Sequence, residues 1–194
     1  MSKSDPSSPK KERNKAIIWV VAIFLSTIFA TGIISLASEE LLSVSAMPVA
    51  FIVLLGIIFV GILFDVIGVA VTSADEKPFH SMAARKVPGA LESIRLLRNA
   101  EKVGSICNDV VGDICGVISG SASATIAAQV LQNFEFSWPR LASLLMSALV
   151  AGLTVGGKAI GKGLAINSCT TIVHFVGRSI HRLRKIGNIF QKRK

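Results

Sequence analysis

Charged residues and cysteines are scarce in this sequence, and it carries no recognisable catalytic combination of side chains. Only 17% of its 194 residues are charged, whereas 51% are hydrophobic and the mean hydropathy is +0.61. The three cysteines are an odd number and form no CxxC pair, which excludes a disulfide framework and a cysteine metal pair. No pairing of nucleophile and base and no phosphate-binding loop stands out, so we expect no enzyme activity. The composition predicts an integral membrane protein.

The positive charge of the chain lies mainly at the ends of its apolar segments. The formal net charge is +9, and a basic balance of this kind can indicate either nucleic acid or a membrane surface as the partner. Here the cations gather before the first apolar run and after the last one. They do not form one basic surface on a soluble domain. We therefore expect a lipid bilayer, with its anionic headgroups, as the partner and no nucleic acid.

Four apolar runs are long enough to cross a bilayer. A helix rises about 1.5 Å per residue, so about 20 apolar residues cross a hydrocarbon core of about 30 Å. The runs cover residues 16–37, 48–72, 103–131 and 138–157. Ser35 and Ala37 would also suit a signal-peptide cleavage site, but the first run exceeds the usual apolar length of about 7 to 15 residues. We predict that it is an uncleaved, extra N-terminal transmembrane helix.

The polar segments predict shorter elements at the membrane surface. Residues 1–15 are rich in Ser, Pro and Lys, which is typical of a disordered basic tail. Residues 73–102 carry apolar side chains at helical spacing between prolines, which indicates an excursion of short amphipathic helices. Residues 164–190 carry an apolar stripe opposite basic residues, which indicates a juxtamembrane helix, and residues 184–194 form a basic tail. The predicted fold is all-α, with about four transmembrane helices.

The distribution of cations across the loops predicts the orientation. Residues 38–47 and 132–137 contain no Lys or Arg, whereas the central polar segment and both ends are rich in them. Short loops that carry Lys and Arg stay in the cytoplasm. We therefore predict a multi-pass protein of the cytoplasmic membrane with both termini in the cytoplasm.

Carboxylates inside the apolar runs are the strongest functional signal. A charged side chain near the bilayer centre costs about 2.5 to 3.5 kcal/mol, so it needs a partner, a cavity or a function. Asp109 and Asp113 lie one helical turn apart in the third run, on the side that carries Asn108 and a stripe of glycines. Asp65 lies at a similar depth in the second run. Because such oxygens suit a hard cation, we predict a Mg²⁺-like metal site at these four residues, open to the cytoplasm.

A second interpretation of the same carboxylates is a structural ion-pair cluster. Lys158 and Lys162 follow the fourth run, again one helical turn apart. A lysine can place its ammonium group near a buried carboxylate or extend it to water. On the chemistry of the residues alone, the cation site and the ion-pair cluster remain equally open.

Three short stretches carry a resemblance to a known family. Residues 99–102 look like an Asn-Pro-Asp-Arg motif, and Asn108 with Asp109 looks like a Gly-Asn-Asn motif. Residues 157–165 look like a Gly-Glu-x-x-Pro-Lys-x-Leu-Ala motif. With the order of a span, a helical excursion, two spans and a basic helix, they resemble the transmembrane domain of the cyclin M (CNNM) and CorB/CorC magnesium transporters. The resembling region is residues 48–183.

The resemblance implies magnesium transport and a homodimer formed through this domain. The sequence departs from the family at its ion-site motifs, because Lys158 stands at the Glu position, Gly161 at the Pro position, and Ile67 with Gly68 at a Ser-Glu pair. An intramembrane aspartate would have to neutralise Lys158. We expect no CBS domain pair, and no cofactor except Mg²⁺ as a bound or transported ion. The alternative function is a non-transporting membrane scaffold or accessory subunit.

Overall fold

The computed structural model describes residues 9–44, 47–133 and 138–191, and these form helices joined by short turns. The elements are α1 (Pro9–Val44), α2 (Met47–Ser73), α3 (Lys77–Ala84), α4 (Ala90–Arg98), α5 (Ala100–Ser105), a π-helix (Ile106–Val111), α6 (Gly112–Asn133), α7 (Pro139–Asn167) and α8 (Cys169–Gln191). Among the described residues there is no strand. The predicted all-α fold is confirmed.

Four helical stretches are long and apolar enough to cross a membrane, as the sequence predicts. They are Ile17–Ser38, Met47–Ser73, Ala100–Asn133 and Pro139–Asn167. The third is continuous through α5, the π-helix and α6. These four candidate spans identify a membrane protein.

Several helix ends differ from the sequence prediction, among them both ends of α1 and the end of α7. α1 ends at Val44, so most of the loop predicted at residues 38–47 is helical. α1 begins at Pro9, so residues 9–15 are helical where we expected disorder; residues 1–8 lie outside the described part of the chain. Proline suits a first helical turn, and the Lys, Glu and Arg that follow are good helix formers. α7 continues to Asn167, ten residues beyond the predicted end. Its glycines do not break it, because Gly157 and Gly161 lie against Ile62 and Val66 of α2 and close helix packing offsets their low helix propensity.

α2 is the central helix of the bundle. It packs against α6 and α7 along the span, and against α5, the π-helix and α8 at one end. An apolar core joins Leu54 and Ile58 of α2 to Ile126 of α6 and Val150 of α7. α1 lies along α6, but none of the residues in its most apolar window is buried.

The amphipathic segments predicted at residues 73–102 and 164–190 form α3, α4 and α8. They make a second core with the end of α2, in which Ala70, Phe79 and Val173 are completely buried. α4 and α8 cross closely: Ser93 Oγ donates hydrogen bonds to the carbonyl oxygens of Gly89, at 3.0 Å, and Val173, at 3.2 Å. The apolar side of α8 is therefore used in part to bind α4. Residues 184–191 of the predicted basic tail continue α8.

Candidate functional site

Asp65 is the most deeply buried ionisable residue of the candidate site. It lies on the face of α2 that carries Gly61 and Gly68, and its side chain is 4% exposed. Its Oδ2 atom has no hydrogen-bond partner among the described residues. A buried carboxylate oxygen of this kind is costly, because nothing in the protein replaces the water that it loses.

Asn108 lies opposite that face of α2, in the π-helix. Its Oδ1 atom is also buried, and no residue in the described part of the chain forms a hydrogen bond with it. The Asn108 amide lies directly on Gly68, where an added Cβ would overlap its Oδ1 and come within 2.7 Å of its Cγ. One turn along, a Cβ on Gly104 would come within 2.7 Å of Thr72 Cγ2. α2 and the third span therefore approach closely at these glycines. Asp65 Oδ2 and Asn108 Oδ1 both belong to this interface.

The polar residues of the third span lie on two faces of the helix, in and just after the π-helix. The N–H of Gly112 donates to the carbonyl oxygen of Cys107, five residues earlier, which is the π-helical pattern. Asn108 and Gly112 are turned towards the other helices, whereas Asp109 and Asp113 are exposed. We expected all four on one protein-facing side, but consecutive residues lie about 100° apart around a regular α-helix. Asp109 and Asp113 can therefore point away from the face that carries Asn108 and Gly112.

Asp109 and Asp113 therefore do not join Asp65 in one compact cluster. Asp109 accepts a hydrogen bond of 2.9 Å from Ser105 Oγ on the exposed side of the span. Within the described ranges, no group of three or more His, Cys, Asp or Glu residues could hold a metal ion. The structure brings Asp65 and Asn108 to the same helix interface and leaves the other two aspartates outside it.

Lys158 reaches this region from α7. Its Nζ atom donates a hydrogen bond of 3.4 Å to the carbonyl oxygen of Gly112, and the residue is half-buried. No carboxylate of the described residues forms an ion pair with Lys158 or with the exposed Lys162. The predicted role of the two lysines as ion-pair partners stays a prediction. No pattern in the sequence indicates the Gly112 carbonyl as the partner of Lys158.

A second polar contact, not expected from the sequence, joins α4 to α8. His181 Nδ1 lies 3.4 Å from Glu92 Oε1, and the Glu92 side chain is only 11% exposed. Burial raises the pKa of Glu92, but a backbone hydrogen bond, His181 and Arg95 together outweigh it and leave this pKa below its ordinary value. Glu92 is therefore ionised where it faces α8. This contact holds α4 against α8 and lies apart from the intramembrane residues.

Comparisons with known proteins return no relative. A scan against protein-family models, a search of curated proteins and a search of solved structures each found no match for this chain. The chemistry of the site must therefore be argued from its own residues.

Proposed function

We propose that this protein binds a hard divalent cation such as Mg²⁺ inside the membrane, as a transporter or a cation-binding protein. The observation that carries this proposal is the pair of buried, unpartnered oxygens, Asp65 Oδ2 and Asn108 Oδ1, on facing helices. Buried polar atoms almost always have a hydrogen-bond partner. Two buried oxygens that lack one are therefore expected to bind a ligand. A carboxylate and an amide oxygen suit Mg²⁺, which usually keeps several waters and takes only one or two carboxylates.

Two further features support this function. The π-helix lies in the middle of the site, and single π turns inside α-helices occur frequently at functional sites. Asp109 and Asp113 lie on the open face of the same span, where they would attract a cation towards it. The resemblance to the cyclin M and CorB/CorC transporters supports the same chemistry, since Asn108 and Asp109 fall on that family's Gly-Asn-Asn motif.

Magnesium should stabilise the purified protein against thermal unfolding. A ligand that binds only the folded state adds about 2.7 kcal/mol of stability at a concentration 100 times its Kd. The measurement is the Tm of the protein in lipid nanodiscs, with Mg²⁺ titrated against Na⁺ at equal ionic strength. A Tm that follows ionic strength alone, whatever the cation, would contradict the proposal.

The alternative function, a non-transporting scaffold, is favoured by one observation. Lys158 already places its ammonium group at the Gly112 carbonyl, beside the site. From there it would have to move to the Asp65 carboxylate to neutralise it. In that case Asp65 and Lys158 would stabilise the bundle as an ion pair, and no metal would bind.

The variant Lys158→Met distinguishes these two functions, because methionine keeps an apolar stem and removes the charge. A unit charge at about 4 Å contributes about 4 kcal/mol in a partly buried environment. For the cation site, we therefore expect Lys158→Met to stay folded and to bind Mg²⁺ at least about tenfold more tightly. An ion pair instead predicts a loss of about 3 to 5 kcal/mol of stability. The Tm with and without Mg²⁺ gives both quantities.

We also propose that the chain forms a homodimer through the open face of α6. Asp113 is exposed there, and a Cβ added to Gly116 or Gly120 would meet nothing within 4 Å. A charged side chain facing lipid is costly, and small residues permit close helix contact. In a background without the native cysteines, Gly120→Cys should cross-link two copies in the membrane. Gly163→Cys, on α7, is the control, and equal cross-linking of both would count against this interface.

The orientation completes this proposal. Both termini lie in the cytoplasm and the protein lies in the cytoplasmic membrane, because the Lys and Arg residues, except Arg140, lie before the first apolar run, between the second and third, and after the fourth. Digestion of a C-terminal tag by protease added to intact cells would contradict this orientation.

A further inference from the structure

A groove of about 580 Å³ lies between α4 and α8, away from the intramembrane carboxylates. Leu96, Val103, Ile180 and Leu183 give it an apolar lining, and Arg95 and Arg184 supply two guanidinium groups. Glu92 also borders the groove, but its side chain is mostly buried. The groove therefore combines an apolar surface with a small excess of positive charge.

The groove lies at the level where the spans begin. Val103 belongs to the third span, and the neighbouring Lys102 places its Nζ atom 5.7 Å from the centre of the Trp19 ring, near the start of the first span. Tryptophan and lysine are typical of the membrane interface. Neither α4 nor α8 is among the candidate spans. The groove therefore lies beside the start of the first and third spans, at the level expected for the membrane interface.

The two arginines are available to a ligand. Arg95 is 61% exposed, and its contact with Glu92 Oε1 is long, at 4.0 Å. Arg184 is exposed and has no ion pair with any described residue. Glu92 is engaged instead by His181, at 3.4 Å. Guanidinium groups bind phosphate oxygens in pairs of hydrogen bonds, so two exposed ones beside an apolar groove fit a phosphate that carries an acyl chain.

We propose that this groove is a binding site for one anionic phospholipid. Arg95 and Arg184 bind its phosphate, and an acyl chain lies along Leu96, Val103, Ile180 and Leu183. The headgroup is anionic because two arginines face one carboxylate, so a headgroup with its own cation would be repelled. Basic pockets beside transmembrane helices bind anionic headgroups by the same attraction. The bound lipid would link α4 to α8, independently of the cation site.

The proposal is tested with detergent-purified protein and added phosphatidylglycerol or phosphatidylcholine, with bound lipid counted by native mass spectrometry. We expect preferential retention of phosphatidylglycerol by the wild type. The double variant Arg95→Gln/Arg184→Gln should lose at least about tenfold in affinity for it. Both side chains are exposed, so helical content measured by circular dichroism should be unchanged.

Arg98→Gln is the matched control, because Arg98 lies on α4, is 64% exposed and does not line the groove. If Arg98→Gln loses as much affinity for phosphatidylglycerol as the double variant does, the attraction is unspecific and the proposal is overturned. Equal retention of the two lipids would also overturn it. Glycerophosphoglycerol has the same headgroup without acyl chains, so displacement of the lipid by equimolar glycerophosphoglycerol would reveal a free-phosphate site instead. Leu183→Asn should weaken lipid binding while leaving both arginines in place.

Discussion

An alanine at Gly89 should destabilise the junction of α4 and α8 by about 2 to 6 kcal/mol. Gly89 has φ = +91°, a backbone conformation that residues with a Cβ adopt only at a cost of about 1 to 3 kcal/mol. A Cβ at this position would also lie 2.5 Å from the backbone nitrogen of Arg178 and 2.6 Å from its Cα. Backbone atoms cannot rotate away as a side chain can, so α8 must shift, and overpacking of this kind costs about 1 to 3 kcal/mol more.

The measurement is hydrogen exchange of the α8 amides in nanodiscs, together with the Tm. Because the clash is local, we expect faster exchange in α8 before the transmembrane bundle unfolds. Gly163→Ala is the matched control, since a Cβ there meets nothing within 4 Å and helical alanine is favoured over glycine by about 0.5 to 1 kcal/mol. If Gly89→Ala behaves like this control, α4 and α8 do not cross as closely as the structure describes.

Gly177 gives an independent check on the same crossing. A Cβ at Gly177 would overlap Ser93 Oγ and lie 2.7 Å from the carbonyl oxygen of Gly89. It would therefore displace the hydroxyl that bonds Val173 across the two helices. The two glycines lie in different sequence segments, one after a proline breaker and one inside an amphipathic helix. Nothing in the local pattern of either segment indicates that they meet.

The spans and the surface helices could be predicted because their signals are local. Hydropathy over about 20 residues determines whether a helix can cross the membrane, and spacing of three or four residues marks an amphipathic helix. The end of α7 could not be predicted in the same way. Gly157 and Gly161 weaken a helix by propensity alone, but here they permit contact with α2. The partner that reverses their effect lies in a different span.

Only part of the candidate site followed from the sequence. Asp65 and Asn108 were selected as unusual polar residues in apolar runs, and the structure places them on facing helices. The separation of Asp109 and Asp113 from them could not be predicted, because neighbouring positions on a helix cover a wide arc and the sequence does not show which part of that arc the other helices cover. Here Asn108 lies against Gly68 of α2, in a different span.

The replacement of Asp65 by asparagine is expected to abolish stabilisation by magnesium and to make the ion-free protein more stable. Both effects have one cause, the charge of a buried carboxylate whose Oδ2 has no partner. Without a cation, that charge is costly to bury, and a neutral amide should relieve the cost by at least about 1 kcal/mol. With a cation, the same charge supplies most of the attraction, so the stabilisation of about 2.7 kcal/mol expected at 100 times Kd should disappear.

The Tm of each variant with and without Mg²⁺ tests both effects, and Asp75→Asn is the matched control. Asp75 lies in the exposed turn after α2, where its Oδ1 accepts a hydrogen bond of 3.2 Å from the N–H of Lys77. Each variant removes one carboxylate, so binding of Mg²⁺ to lipid or to surface charge would affect them equally. Compared with Asp75→Asn, Asp65→Asn should therefore have a higher Tm in the absence of Mg²⁺. Its Tm should also rise less when Mg²⁺ is added. If Asp65→Asn instead lowers the Tm, and Mg²⁺ raises the Tm of both variants equally, Asp65 belongs to a structural ion pair with Lys158.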